Sequence, residues 1–108
     1  MSSPLPGDAP LTLPATLTIK NILAVQELIL DFLSKNTSTV LDIDEEAQID
    51  LSFVQLVMAA RKQAEMKAGH VLLARPATGD LYDVLKRGGF LDDMTPEAAY
   101  FWLHQEMN

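Results

Sequence analysis

Residues 41–56 read LDIDEEAQIDLSFVQL, five carboxylates in a short window followed by an apolar run. Val40, Leu41 and Ile43 at the head of the stretch make a compact, partly β-branched apolar block ended by acids, the pattern of a buried central strand. From Asp50 onward the composition changes. DLSFVQLVMAARKQAEMKAG, residues 50–69, is rich in helix formers and reaches Gly69, a residue type suited to positive φ at a helix end. The stretch is therefore predicted to be a strand, an acidic turn and the start of the longest helix. Asp50 can accept backbone N–H groups at that start, and Ser52 with Gln55 has the S-x-x-Q spacing of a capping box, so one or both cap the helix.

The acids invite a metal-binding reading, because carboxylates are hard oxygen ligands for Mg²⁺ or Ca²⁺. DIDEEAQID, however, lacks the central glycine of an EF-hand loop. A phosphoacceptor pocket would need an Asp at one strand end and a Lys at a later one, a role that Arg75 matches only in part. A solvated acidic turn is the simpler expectation, and a metal-dependent phosphoprotein or enzyme using Asp42, Asp44 and Asp50 is the rival from another class.

Outward from this centre the chain alternates strand and helix. LTLPATLTI, residues 11–19, alternates apolar residues with Thr and is broken by Pro14, which predicts two short strands or an edge hairpin. NILAVQELILDFLSKN, residues 21–36, repeats Ile22, Val25, Ile29 and Phe32 at helical spacing, with Asn21 placed as its cap. HVLLARP is a further buried strand closed by Pro76. TGDLYDVLKRGG is a short helix with Leu81, Val84 and Leu85 inward and a glycine pair at its end. Thr95, Pro96 and Glu97 mark another helix start, predicted to run to about Met107, with Phe101 and Trp102 covering the core. The fold class is α/β, with a mixed central sheet of about four strands and helices packed on it. Residues 1–10, with three prolines, read as a flexible leader, and residues 11–108 as a single domain.

At 108 residues the chain has the size of one domain, and its 48% hydrophobic and 21% charged residues suit a packed core. A formal net charge of −7 opposes nucleic-acid backbones. There are no cysteines, which excludes disulfides and thiolate metal sites. No run is long and apolar enough for a membrane span, and the N-terminus lacks a secretory pattern, so a cytoplasmic protein is expected. Neither a P-loop, a G-x-G-x-x-G nor a G-x-S-x-G elbow occurs, and His70 and His104 stand apart, so no cofactor and no nucleophilic catalysis are expected. Arg61, Lys62 and Lys67 read as the solvated face of the long helix.

The order of elements around VLDIDEEAQIDLSFVQLVMAARKQA resembles the STAS family, the domain of anti-sigma-factor antagonists and sulphate-transporter tails. In that family a V-L-D-L strand leads through a loop to Asp-Ser-Ser-Gly-Leu at the start of a long helix. Here Val40, Leu41, Asp42 and Ile43 resemble the strand, Asp50 stands at the family's Asp, and Ser52 at its phosphorylatable serine. AGHVLLARP is similar to the family's next strand and proline, and VLKRGGF to its V-L-x-x-x-G-[LF] helix end. Leu51, Phe53 and Val54 replace the family's first serine, glycine and leucine, and a capped helix replaces its closing strand and helix.

The resemblance implies a non-enzymatic regulatory domain in bacterial signal transduction. Its partner would be a serine kinase of the anti-sigma type or a histidine-kinase signalling component, as in chemotaxis. Ser52 would be the candidate phosphoacceptor, and Asp50, Leu51, Ser52, Phe53 and Gln55 the partner-binding residues. The small STAS subunit of a phospholipid-transport ABC system is the alternative within the same family.

Overall fold

Thr39, Val40 and Leu41 are all buried, a run that a strand attains in the middle of a sheet and not at its edge. A computed structural model describes residues 9–105 and shows why. The elements, in chain order, are β1 (Ala9–Thr12), β2 (Thr16–Leu17), α1 (Ile22–Lys35), β3 (Thr39–Asp42), β4 (Gln48–Ile49), α2 (Leu51–Met66), β5 (Val71–Leu73), α3 (Gly79–Arg87) and α4 (Pro96–Leu103). β3 lies between β1 and β5, parallel to both, with Leu41 opposite Leu11 on one side and Leu73 on the other.

The α/β class stands, and two details of the expected sheet do not. Every pairing among the described residues is parallel, and the strands form two sheets of three and two instead of one mixed sheet of about four. Of the two expectations for residues 11–19, the two short strands form and the edge hairpin does not. β1 pairs with β3 while β2 pairs with β4, because Leu13 to Ala15 carry the chain out of the first sheet at Pro14. Leu13 donates its N–H to the Asp42 carbonyl at 3.0 Å, so odd-numbered residues of this segment bond inward and Pro10, which has no N–H, turns its nitrogen to the open edge. Of the leader, Pro10 belongs to β1 with Ala9, and residues 1–8 lie outside the described residues.

The helices bring one apolar stripe each to a common core. α1 contributes Val25, Ile29 and Leu33; α2 contributes Phe53, Val54, Val57, Ala60 and Ala64; α3 contributes Leu81, Val84 and Leu85; α4 contributes Phe101 and Trp102. The i, i+3/i+4 spacing of the α1, α2 and α3 sets puts each on one helix face, and α4 adds the adjacent pair Phe101 and Trp102. α4 starts as expected, with the Thr95 hydroxyl accepting the Ala98 N–H at 3.1 Å and Pro96 in the first turn. It ends at Leu103, where His104 takes φ 55°; Met107 lies outside the described residues.

The end of α2 corrects the role of Gly69. Ala68, not Gly69, holds the left-handed conformation, at φ 60°. Ala68 N–H donates to the Glu65 carbonyl and Gly69 N–H to the Ala64 carbonyl, the paired bonds of a Schellman motif. Gly69 is needed for space: a Cβ there would stand 1.9 Å from the Thr37 carbonyl oxygen.

Candidate functional site

β4 is only Gln48 and Ile49, and its pairing with β2 delivers Asp50 to the start of α2 with extended backbone, φ −128° and ψ −178°. That geometry lets the side chain fold back over the first turn. Asp50 Oδ1 accepts the Ser52 N–H at 3.0 Å and also the Ser52 hydroxyl. The cap is therefore Asp50. Ser52 supports it as a donor, and the capping box with Gln55 is not formed.

The second carboxylate oxygen has a partner that local spacing does not announce. Asp50 Oδ2 accepts the Ile19 N–H at 2.8 Å, across 31 residues of sequence. Asn21, expected to cap α1, instead braces the turn that presents this amide: its Nδ2 donates to the Thr16 carbonyl and its Oδ1 accepts the Thr18 N–H at 3.1 Å. Burial alone would raise the Asp50 carboxyl. The Ser52 hydroxyl and the backbone N–H groups of Ile19, Ser52 and Phe53 outweigh it and hold the group below the ordinary carboxylate value.

Around this cap the predicted partner-binding residues separate. Leu51, 44% exposed, and Gln55 face solvent, and Ser52 and Asp50 are half-buried. Phe53 is fully buried among the core residues and presents nothing to a partner. Its inward orientation follows from the helical period, which aligns Phe53 with Val57, Ala60 and Ala64. The Phe53 ring thus fills the core. Ile19 and Leu23, 69% and 72% exposed, lie on and just after the turn held by Asp50, apolar neighbours that no sequence motif marks.

The acidic turn forms a separate feature at the carboxyl ends of β1 and β3. An open cleft of about 390 Å³ is lined by Thr12, Leu13, Asp42, Asp44, Glu45, Glu46 and Arg75. Arg75 Nη2 stands 2.7 Å from Asp42 Oδ1 and 2.6 Å from the Ile43 carbonyl oxygen. Asp44 is used locally, accepting the Glu46 N–H at 2.8 Å. Asp50 is committed to α2. Among the described residues no three His, Cys, Asp or Glu side chains converge in a geometry that could hold a metal ion.

One further side chain is better placed than its sequence context indicates. Arg61, read as solvated, is half-buried, with its guanidinium carbon 4.0 Å from the Phe101 ring centroid and Nη2 3.6 Å from Glu97 Oε1. Phe101 and Trp102 cover the core as expected, edge to face at 4.8 Å. Among the described residues, no helix is long and apolar enough to cross a membrane. Comparison with protein-family models, with curated proteins and with solved structures returned no match.

Proposed function

We propose that this protein is a non-enzymatic, STAS-like regulatory module of bacterial signal transduction, working in the cytoplasm, that docks a protein partner at the start of α2. The observation that carries the reading is the cap itself: a half-buried Ser52 hydroxyl, held by Asp50 on the first turn of α2, between the exposed side chains of Leu51 and Gln55. A phosphate at Ser52 would place up to two negative charges on that surface and change what can dock there. Asp50 orients the helix start; Leu51 and Gln55 supply contact area. The partner class is a serine kinase of the anti-sigma type or a histidine-kinase signalling component.

The test is affinity capture from native-host lysate with wild type, Ser52→Ala and Ser52→Asp as baits, with mass spectrometry of bait and captured proteins. A kinase or signalling component retained by wild type and Ser52→Ala and lost with Ser52→Asp, together with phosphate on wild-type Ser52, supports the reading. Capture of a transporter's nucleotide-binding subunit instead assigns the same surface to a lipid-transport assembly. Identical capture by all three baits removes the start of α2 as the docking surface.

A further inference from the structure

Asp50 ties together two segments that are remote in sequence. Oδ1 serves α2 through the N–H and hydroxyl of Ser52, while Oδ2 holds the Ile19 N–H in the turn between β2 and α1. The neighbours of Ile19 are braced within the turn itself: Thr18 N–H by Asn21 Oδ1, Lys20 N–H by Thr18 Oγ1, and Asn21 N–H by the Thr18 carbonyl. Ile19 is thus the residue of this turn whose amide is held from outside it. The turn also carries exposed apolar surface, Ile19 with Leu23 four residues on.

We propose that Asp50 couples the chemical state of the Ser52 hydroxyl to the β2–α1 turn, so that a phosphate on Ser52 releases the Ile19 amide and frees the turn bearing Ile19 and Leu23. The proposal rests on Ser52 being the phosphoacceptor. In the transfer, Ser52 Oγ bonds to the γ-phosphorus of a nucleoside triphosphate bound by the kinase. The phosphoanhydride bond breaks with its electron pair on the departing nucleoside diphosphate, and the hydroxyl proton passes to solvent. Three consequences follow at Asp50. Its hydroxyl donor is gone; the phosphate oxygens compete for the N–H groups of the first turn, whose partial positive charge favours the more highly charged anion; and two anions now face each other at close range. The displaced carboxylate takes with it the hydrogen bond on its other oxygen.

The test installs phosphoserine at position 52 during translation, so the coupling is read whether or not a cellular kinase recognises the site. Amide hydrogen exchange is followed by NMR in the unmodified protein, the phosphoserine protein, Ser52→Ala and Asp50→Asn. Exchange at Ile19 is expected to rise about tenfold or more in the phosphoserine protein and in Asp50→Asn, the loss of a charge-assisted hydrogen bond. In Ser52→Ala, which leaves both Asp50 oxygens in place, it is expected to stay within about twofold of wild type. Val57, on the buried face of α2, reports global opening and should keep its rate, and the change at Ile19 is read relative to Val57 in every protein. An Ile19 amide that exchanges at the wild-type rate in the phosphoserine protein overturns the coupling, and does so without touching the docking reading. A freed Ile19 amide upholds the coupling even if lysate capture shows no role for Ser52 in partner choice.

Discussion

Asp50 is a single residue whose carboxylate serves donors on two segments, and its chemistry is testable apart from any partner. Both carboxylate oxygens are occupied by donors, Oδ1 by Ser52 and Oδ2 by Ile19. Asparagine keeps one oxygen and turns the other into a donor, so with its oxygen capping α2 it leaves the Ile19 amide without its acceptor. Asp50→Asn is expected to cost about 1 kcal/mol near neutral pH, the net scale of one lost hydrogen bond. The pH dependence has a definite sign. Because the folded carboxyl titrates below its ordinary value of 3.8, its contribution is fully present above that value and is lost as pH falls through the lowered folded one. Urea unfolding of the two proteins should therefore differ by a constant amount down to about pH 5 and converge in stronger acid. A difference that persists unchanged at the acid end would mean that the carboxylate charge is not what stabilises the cap. Asp50 as cap was legible in the sequence because a cap is a local pattern. Its bond to Ile19 was not, because strand pairing of β2 with β4 brings them together and neither strand exceeds two residues.

At the scale of the element, the end of α2 shows how a correct boundary can carry the wrong residue role. A glycine after a run of helix formers signals a helix stop, and α2 does stop there, yet the left-handed position is taken by Ala68 and the tight one by Gly69. The two residues should therefore respond oppositely to exchange. Ala68→Gly removes a Cβ from left-handed backbone and is expected to stabilise the protein by about 1 kcal/mol, the steric penalty of that conformation. Gly69→Ala drives a Cβ into the Thr37 carbonyl, a rigid backbone atom, and is expected to destabilise by about 1–3 kcal/mol. Thermal unfolding of both variants checks the pair, and a loss of stability in Ala68→Gly would sink the assignment. The same limit explains Arg61. Helical spacing puts Arg61 outside the apolar stripe of α2, and only the docking of α4, which carries Phe101 and Glu97, makes it half-buried. Long, periodic helices were readable from the sequence; what they lean on was not.

For the whole molecule the question is whether the two sheets and four helices of the described residues behave as one unit. Leu17 of the two-stranded sheet, Leu41 of the three-stranded one, Phe53 of α2, Leu85 of α3 and Trp102 of α4 all belong to one continuous apolar cluster. Alternation of strand and helix made such a shared core predictable, whereas the division into two parallel sheets depends on pairings that two- to four-residue strands do not encode. A single cluster implies a single transition, since no element can leave without exposing the rest. Trp102 is the only tryptophan and sits on the last element, so its fluorescence reports α4 while far-UV circular dichroism reports the helices together. The two signals should unfold at the same urea concentration. Phe53 lies at the junction of these layers, with 0% exposure, and Phe53→Ala is expected to cost about 3–5 kcal/mol, a large share of the roughly 5–15 kcal/mol available to a domain. Phe53→Leu, which keeps most of the volume, should lose less than about 1.5 kcal/mol and provides a folded reference if the alanine variant is unfolded. In both variants the fluorescence and dichroism midpoints should move together. If Trp102 keeps its wild-type midpoint while the dichroism midpoint falls, α4 is held independently of the core, and the surface around it becomes a separate body from the one that presents Ser52.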